Sequence, residues 1–185
     1  MPFWVGVLGL TLSLGITIPK TTLANPSSSE QTLTVAFLYN FLKFSEWPTQ
    51  NTQNTQNTQN NILNLCVTDN TAFEAELNAI DGRIAQNKIV RINRIELGES
   101  LKECQLLFLP REEKPIRIRE WLKNAKNTPT LTVSNMDNFL DIGGMIALID
   151  DGTRLQFEIN LTQVKSADLK LSAQLLQIAR AIRGK

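Results

Sequence analysis

The chain has 185 residues, 42% of them hydrophobic, with 19 Lys and Arg against 18 Asp and Glu, and no histidine. A net charge of +1 without a basic block excludes the electrostatic footprint of a nucleic-acid binder. Without imidazole the commonest general base and metal ligand are gone, so catalysis would fall to carboxylates, lysine or serine.

From the N-terminus, Pro2 to Ile18 is almost uninterrupted apolar and small sequence, and Thr22-Leu23-Ala24 offers the small residues a signal peptidase reads. Residues 1–24 are expected to be an export leader cleaved after Ala24, although no Lys or Arg precedes the apolar run. That run is shorter than the roughly 20 residues of a membrane span. Residues 25–185 are then expected to form a single domain beyond the inner membrane, in the periplasm, where disulfides are permitted.

Ser27-Ser28-Ser29 and Glu30 predict a helix from Glu30 to Ser45, ended by Trp47-Pro48. Its sequence, VAFLYNFLKFSEWP, places Phe37, Phe41 and Phe44 on one helical stripe and Leu38 with Leu42 on a second. Phe37, Phe41 and Phe44 are expected to be buried. Tyr39, Lys43 and Trp47, with Glu46 nearby, are candidate partner contacts. The polar repeat TQNTQNTQNTQNN, Thr49 to Asn61, has no apolar member and reads as a flexible insertion loop.

ILNLCVT, Ile62 to Thr68, predicts a strand, and Asp69-Asn70-Thr71 caps a helix over Ala72 to Ile80. Asp81-Gly82 turns the chain into a strand from Lys88 to Arg94. Cys104 to Leu109 is nearly all apolar, as in a strand buried on both faces. An amphipathic helix follows from Pro115 to Lys126, with Ile118, Trp121, Leu122 and Ala125 on one side, and then a strand from Thr130 to Ser134. This alternation predicts a three-layer α/β fold, a mainly parallel sheet with helices on both faces.

The last third predicts a C-terminal β-hairpin plus helix. Met145 to Ile149 and Arg154 to Leu161 flank Asp150-Asp151-Gly152-Thr153. Leu155, Phe157, Ile159 and Leu161 alternate inward. Arg154, Gln156 and Glu158 face outward with Asn160, and the first three are candidate partner contacts. A final helix is expected over Ser172 to Ile182, with Arg180 and Arg183 at its dipole-favoured end.

Cys66 and Cys104, 38 positions apart, form neither a C-x-x-C motif nor half of a zinc site. In an exported chain they read as a structural disulfide; two buried thiols is the alternative. The carboxylates Asp137, Asp141, Asp150 and Asp151 lack the spacing of a calcium loop, and neither a metal site nor a catalytic pair is expected. Gly143-Gly144 precedes a strand and reads as a turn rather than a phosphate loop. The polar loops after the strands supply Asp69, Asn70, Ser134 and Asn135 as candidate ligand contacts, where an open α/β sheet holds small molecules.

The ordered set AFLYNFLKFSEWP, LNLCVTDNTAF, ECQLLFL, PTLTVSNMDNF, GGMIALI, RLQFEINL and LKLSAQLLQIAR resembles the YfiR family of periplasmic regulators, over about Val35 to Ala181. The resemblance implies an α/β homodimer without cofactor or catalysis. It also implies binding to, and repression of, the periplasmic sensor region of an inner-membrane diguanylate cyclase, with an outer-membrane lipoprotein as a second partner. Cys66 and Cys104 match the family's common cysteine pair. The second pair some members carry near GGMI and RLQF is absent. The alternative is a small-molecule sensor module acting on another membrane partner.

Overall fold

The computed structural model describes Met1 and residues 28–48 and 61–184. The expected leader apart from Met1, and the polar repeat apart from Asn61, lie outside the described residues. Helix α1 (Ser28–Phe44) leads into β1 (Ser45–Glu46). Then come β2 (Ile62–Thr68), α2 (Glu74–Asn78), β3 (Ile84–Ala85), β4 (Lys88–Ile95), β5 (Leu106–Leu109), α3 (Pro115–Ala125) and β6 (Leu131–Ser134). The last third holds β7 (Ile146–Asp150), β8 (Leu155–Asn160), α4 (Leu161–Ser166), β9 (Lys170–Leu171), α5 (Ala173–Ile178) and β10 (Ala181–Arg183).

Among the described residues an eight-stranded sheet runs in the order β10-β8-β7-β6-β5-β2-β4-β3. Its pairs are parallel except β3 with β4 and the hairpin β7 with β8. The apolar runs explain the order, because β5 is buried throughout and sits in the middle, covered on both faces. Successive residues of β5 enter opposite cores. Leu106 and Phe108 join Val35, Leu38, Phe41 and Leu42 of α1, Leu77 of α2, Val164 of α4 and Leu175 of α5. Leu107 and Leu109 join Ile118, Trp121 and Ala125 of α3. A helix layer thus lies on each face, and the three-layer α/β expectation holds.

Cys66 and Cys104 are bonded, Cα to Cα 5.8 Å, and both are buried. The bridge ties central β2 to the turn before β5. Gly144 has a different constraint. A Cβ there would meet the Phe139 ring at 2.2 Å, so the glycine pair admits that ring beneath the turn into β7.

Two expectations need correcting. Phe41 is wholly buried, but Phe37 and Phe44 are only partly buried. The core-facing arc of α1 centres on Val35, Leu38 and Leu42, so the rings of Phe37 and Phe41 spread sideways over Phe157 of β8. The expected helix from Ser172 to Ile182 stops at Ile178, and Ala179 is already extended. Residues 181–183 instead pair in parallel with β8, satisfying an edge that would otherwise stay open. The chain before them holds a turn of helix that the alternating pattern concealed: Asn160 caps α4 by accepting from Gln163 N.

Candidate functional site

Strand alternation decides which charged side chains meet. In β8, Phe157 and Ile159 point to the α1 face, so Gln156, Glu158 and Asn160 point to the α3 face. On that face α3, Phe139 and Leu140 cover the middle of the sheet. Toward β8 and β10 the face carries Gln156, Glu158, Asn160 and Arg183, all at least partly exposed.

A cleft of about 360 Å³ lies on this side, lined by Asp137, Asn138, Phe139, Leu140, Ala147, Ile149, Glu158 and Arg183. The segment after β6 forms one wall, where Asn138 takes a left-handed conformation (φ 59°). Strands β7 and β8 form the floor, and β10 brings in Arg183. The Glu158 side chain, 18% exposed, sits 3.8 Å from Arg180 Nε and 3.5 Å from Arg183 Nη2. Arg183 also donates to Asp141, which holds its guanidinium above the usual arginine range. Asn160 Nδ2 donates to the Leu140 carbonyl at 3.4 Å, fastening the wall to the strand.

The other residues singled out from the sequence fall elsewhere. Tyr39 donates its hydroxyl to Ile84 O at 2.7 Å, and Trp47 donates Nε1 to Gln105 O at 2.8 Å, so both rings serve internal contacts. Lys43 is exposed, its Nζ 5.6 Å from the Tyr39 ring and 5.4 Å from that of Phe44. These α1 residues and Glu158 occupy opposite faces of the sheet, so they make two surfaces rather than one. Arg154 and Gln156 turn toward the hairpin, Arg154 Nε 3.7 Å from Asp151 and Gln156 Nε2 donating to Asp151 Oδ2 at 3.0 Å.

The Thr153 hydroxyl, with the Thr153 and Arg154 amides, hydrogen-bonds the Asp151 carboxylate and lowers its pKa from 3.8 to about 2. Because the folded value is the lower one, the stabilisation is complete above the ordinary carboxylate range and is lost as pH falls through about 2. Carbon-detected NMR titration should place the Asp151 midpoint near 2. A midpoint at the ordinary aspartate value would show the turn to be open in solution.

The carboxyl ends of the strands hold a second polar cluster. Strands β4 and β5 flank β2 on opposite sides, and α2 and α3 leave on opposite faces, which makes this the switch point of the sheet. Asn70 Nδ2 donates to Glu113 Oε2 at 3.0 Å, and Arg117 Nε lies 2.8 Å from Glu113 Oε1. Glu113 is buried. Ser134 Oγ accepts from Met136 N and Asn135 Oδ1 from Arg111 N, while Arg111 pairs with Glu30 of α1. Asp69 is exposed at the turn. Thus three of the four expected ligand residues make hydrogen bonds within and between loops, beside the buried hydroxyls of Thr68 and Thr71, which have no hydrogen-bond partner among the described residues.

Sequence reasoning places Glu113 and Asp137 in the polar loops after the strands but misses Arg117, Arg180 and Arg183 as members of these clusters. The i, i+4 spacing of Glu113 and Arg117 across a Pro-started helix was a usable signal. For Arg183 there was none, because its place depends on the unforeseen edge strand.

Among the described residues no helix is long and apolar enough to cross a membrane, and no group of three or more Cys, Asp and Glu could hold a metal ion. The sequence profile of the family described as YfiR/HmsC-like matches residues 31–180. No curated protein matches the sequence.

Proposed function

Since the chain belongs to the YfiR/HmsC-like family, a family of periplasmic regulators, we propose that it is exported by its leader and binds the periplasmic sensor region of an inner-membrane diguanylate cyclase. Binding holds the cyclase inactive and lowers cyclic di-GMP signalling. The chain acts without catalysis. The observation that supports this reading is the open β8–β10 face: strands, loop and C-terminal edge assemble a cleft in which Glu158 and Arg183 pair with each other and with Arg180 and Asp141. Such a face, polar and with its arginines already paired, suits the rim of an interface with another protein.

Deleting the gene should raise cellular cyclic di-GMP several-fold, and the tagged chain should retain a cyclase from crosslinked envelopes. Unchanged nucleotide levels together with no captured cyclase would overturn the proposal. A small-molecule sensor is the second reading, favoured by the buried Glu113 and by the Thr68 and Thr71 hydroxyls at the sheet switch point, which have no partner among the described residues. Metabolite screening by thermal shift would support it through a rise in melting temperature that is lost in Glu113→Gln.

A further inference from the structure

Every strand of the eight-stranded sheet but one contributes a buried side chain, and the exception is β10. Ala181 and Ile182 are half-buried, Arg183 is exposed, and none of the described residues after Leu175 is buried. The strand runs parallel to β8 from Glu158 to Asn160, and Arg180 N donates to Phe157 O at 2.9 Å. Its side-chain ties are the ion pairs of Arg180 and Arg183 with Glu158 and of Arg183 with Asp141. The two arginine side chains are 47% and 49% exposed, and pairs this open to water hold little.

Backbone geometry seats the strand at both ends. Ala179 is extended and ends α5. Gly184 has φ +74°, and a Cβ there would come 2.0 Å from Thr162 Oγ1 and 3.1 Å from Thr162 N, so only glycine lets the tail lie against α4. A segment with so few buried contacts opens before the rest of a domain does. Its opening bares the outer edge of β8 over Phe157 to Asn160 and takes Arg180 and Arg183 away from Glu158 and Asp141.

We propose that β10 is a displaceable strand, and that an extended segment of the partner protein pairs with β8 in its place, setting an apolar side chain where Ile182 stands and a basic one where Arg183 stands. The inference rests on the regulatory reading above and adds how the partner is held. A sheet edge takes up an extended chain through main-chain hydrogen bonds, and the places for alternate side chains set the choice of sequence. Here the place of Ile182 lies against the α1-side core, while Glu158 and Asp141 stand on the other face and call for a cation. Neighbouring residues of the incoming strand must therefore be apolar and basic.

Hydrogen exchange of the wild-type mature chain in sub-denaturing urea reads the opening directly. Amides of residues 180–183 should exchange with almost no urea dependence, because lifting one edge strand exposes little surface, whereas those of β5 should follow global unfolding. A urea dependence equal to that of β5 would overturn the proposal. Gly184→Ala should speed exchange at residues 180–183 about tenfold, the effect of a strained left-handed residue, with the far-UV circular dichroism retained. A peptide of residues 179–185, Ac-Ala-Arg-Ala-Ile-Arg-Gly-Lys-NH2, stands in for the segment of the partner. It should bind Gly184→Ala about tenfold tighter than wild type, in proportion to the opened population, and the same peptide with glutamate at the place of Arg183 should bind neither. Equal affinity of the two peptides, or of the two proteins, would overturn the exchange. Dimers of Gly184→Ala that dissociate on adding the peptide would assign the edge to a second copy and count against a partner strand. If the wild-type chain captures a cyclase and Gly184→Ala captures no more of it, the exchange fails while the regulatory reading stands; peptide exchange without any captured cyclase is the reverse.

Discussion

Replacing Cys66 and Cys104 together with alanine should lower the free energy of unfolding by about 4 kcal/mol, the chain-entropy value for a 38-residue separation. For a chain of this length that corresponds to a fall in melting temperature of roughly 8–16 °C. The loop closed by the bridge contains α2, β3 and β4, one whole edge of the sheet. Without the bridge that edge is held by the β2–β4 ladder and by the loops around it. Asn64 N donates to Gln105 Oε1, Gln105 N donates back to Asn64 O, and Leu131 N and Trp47 Nε1 both donate to Gln105 O. These bonds place Cys104 beside β2 whether or not sulfur is joined to sulfur. The loss should therefore appear in stability, with the native far-UV circular dichroism retained below the transition. A loss under about 1 kcal/mol would mean that the unfolded chain already keeps the two cysteines close. A collapse of the native spectrum would mean that the bridge builds the strand pairing rather than securing it.

The parts of the fold that could be read from sequence are those fixed by local pattern. β2, β5 and β6 announce themselves by dense apolar runs, α3 by its stripe of Ile118, Trp121 and Ala125, and the hairpin by Asp151-Gly152, where the glycine takes φ +83°. What could not be read depends on partners distant in sequence. Leu175, Leu176, Ala179 and Ile182 fit a helical stripe, yet Ile182 lies opposite Ile159 in a strand because β8 needed an edge partner. The same holds for β1 and β9, two-residue strands that pair with each other across more than 120 residues of chain. The cleft was partly legible: Glu158 belonged to a visible outward row, whereas Arg183 and Asp137 reached it through the edge strand and a loop. Neither carries a periodic signature.

Phe41→Ala should cost about 3–5 kcal/mol, the usual range for removing a wholly buried phenylalanine. Its ring lies 5.1 Å from that of Phe157 in an edge-to-face arrangement and 6.0 Å from that of Phe37. A double-mutant cycle with Phe157→Ala should return a coupling of about 0.5–1.5 kcal/mol. Phe37→Ala and Phe44→Ala should cost clearly less, about 1–2 kcal/mol, because these rings keep part of their surface in water and leave smaller cavities. Urea titration of the three variants tests the orientation of α1, and equal costs for Phe37 and Phe41 would show that the helix is rotated from the position described. The same variants separate the two surfaces of the molecule. Phe37→Ala leaves the β8–β10 face untouched, since Phe37 and Glu158 lie on opposite sides of the sheet. A folded Phe37→Ala chain should therefore still lower cyclic di-GMP, while Glu158→Lys, which breaks the pairs with Arg180 and Arg183, should not. The opposite pattern would move the docking surface to the rim of α1, where Leu33, 49% exposed, stands beside the half-covered rings.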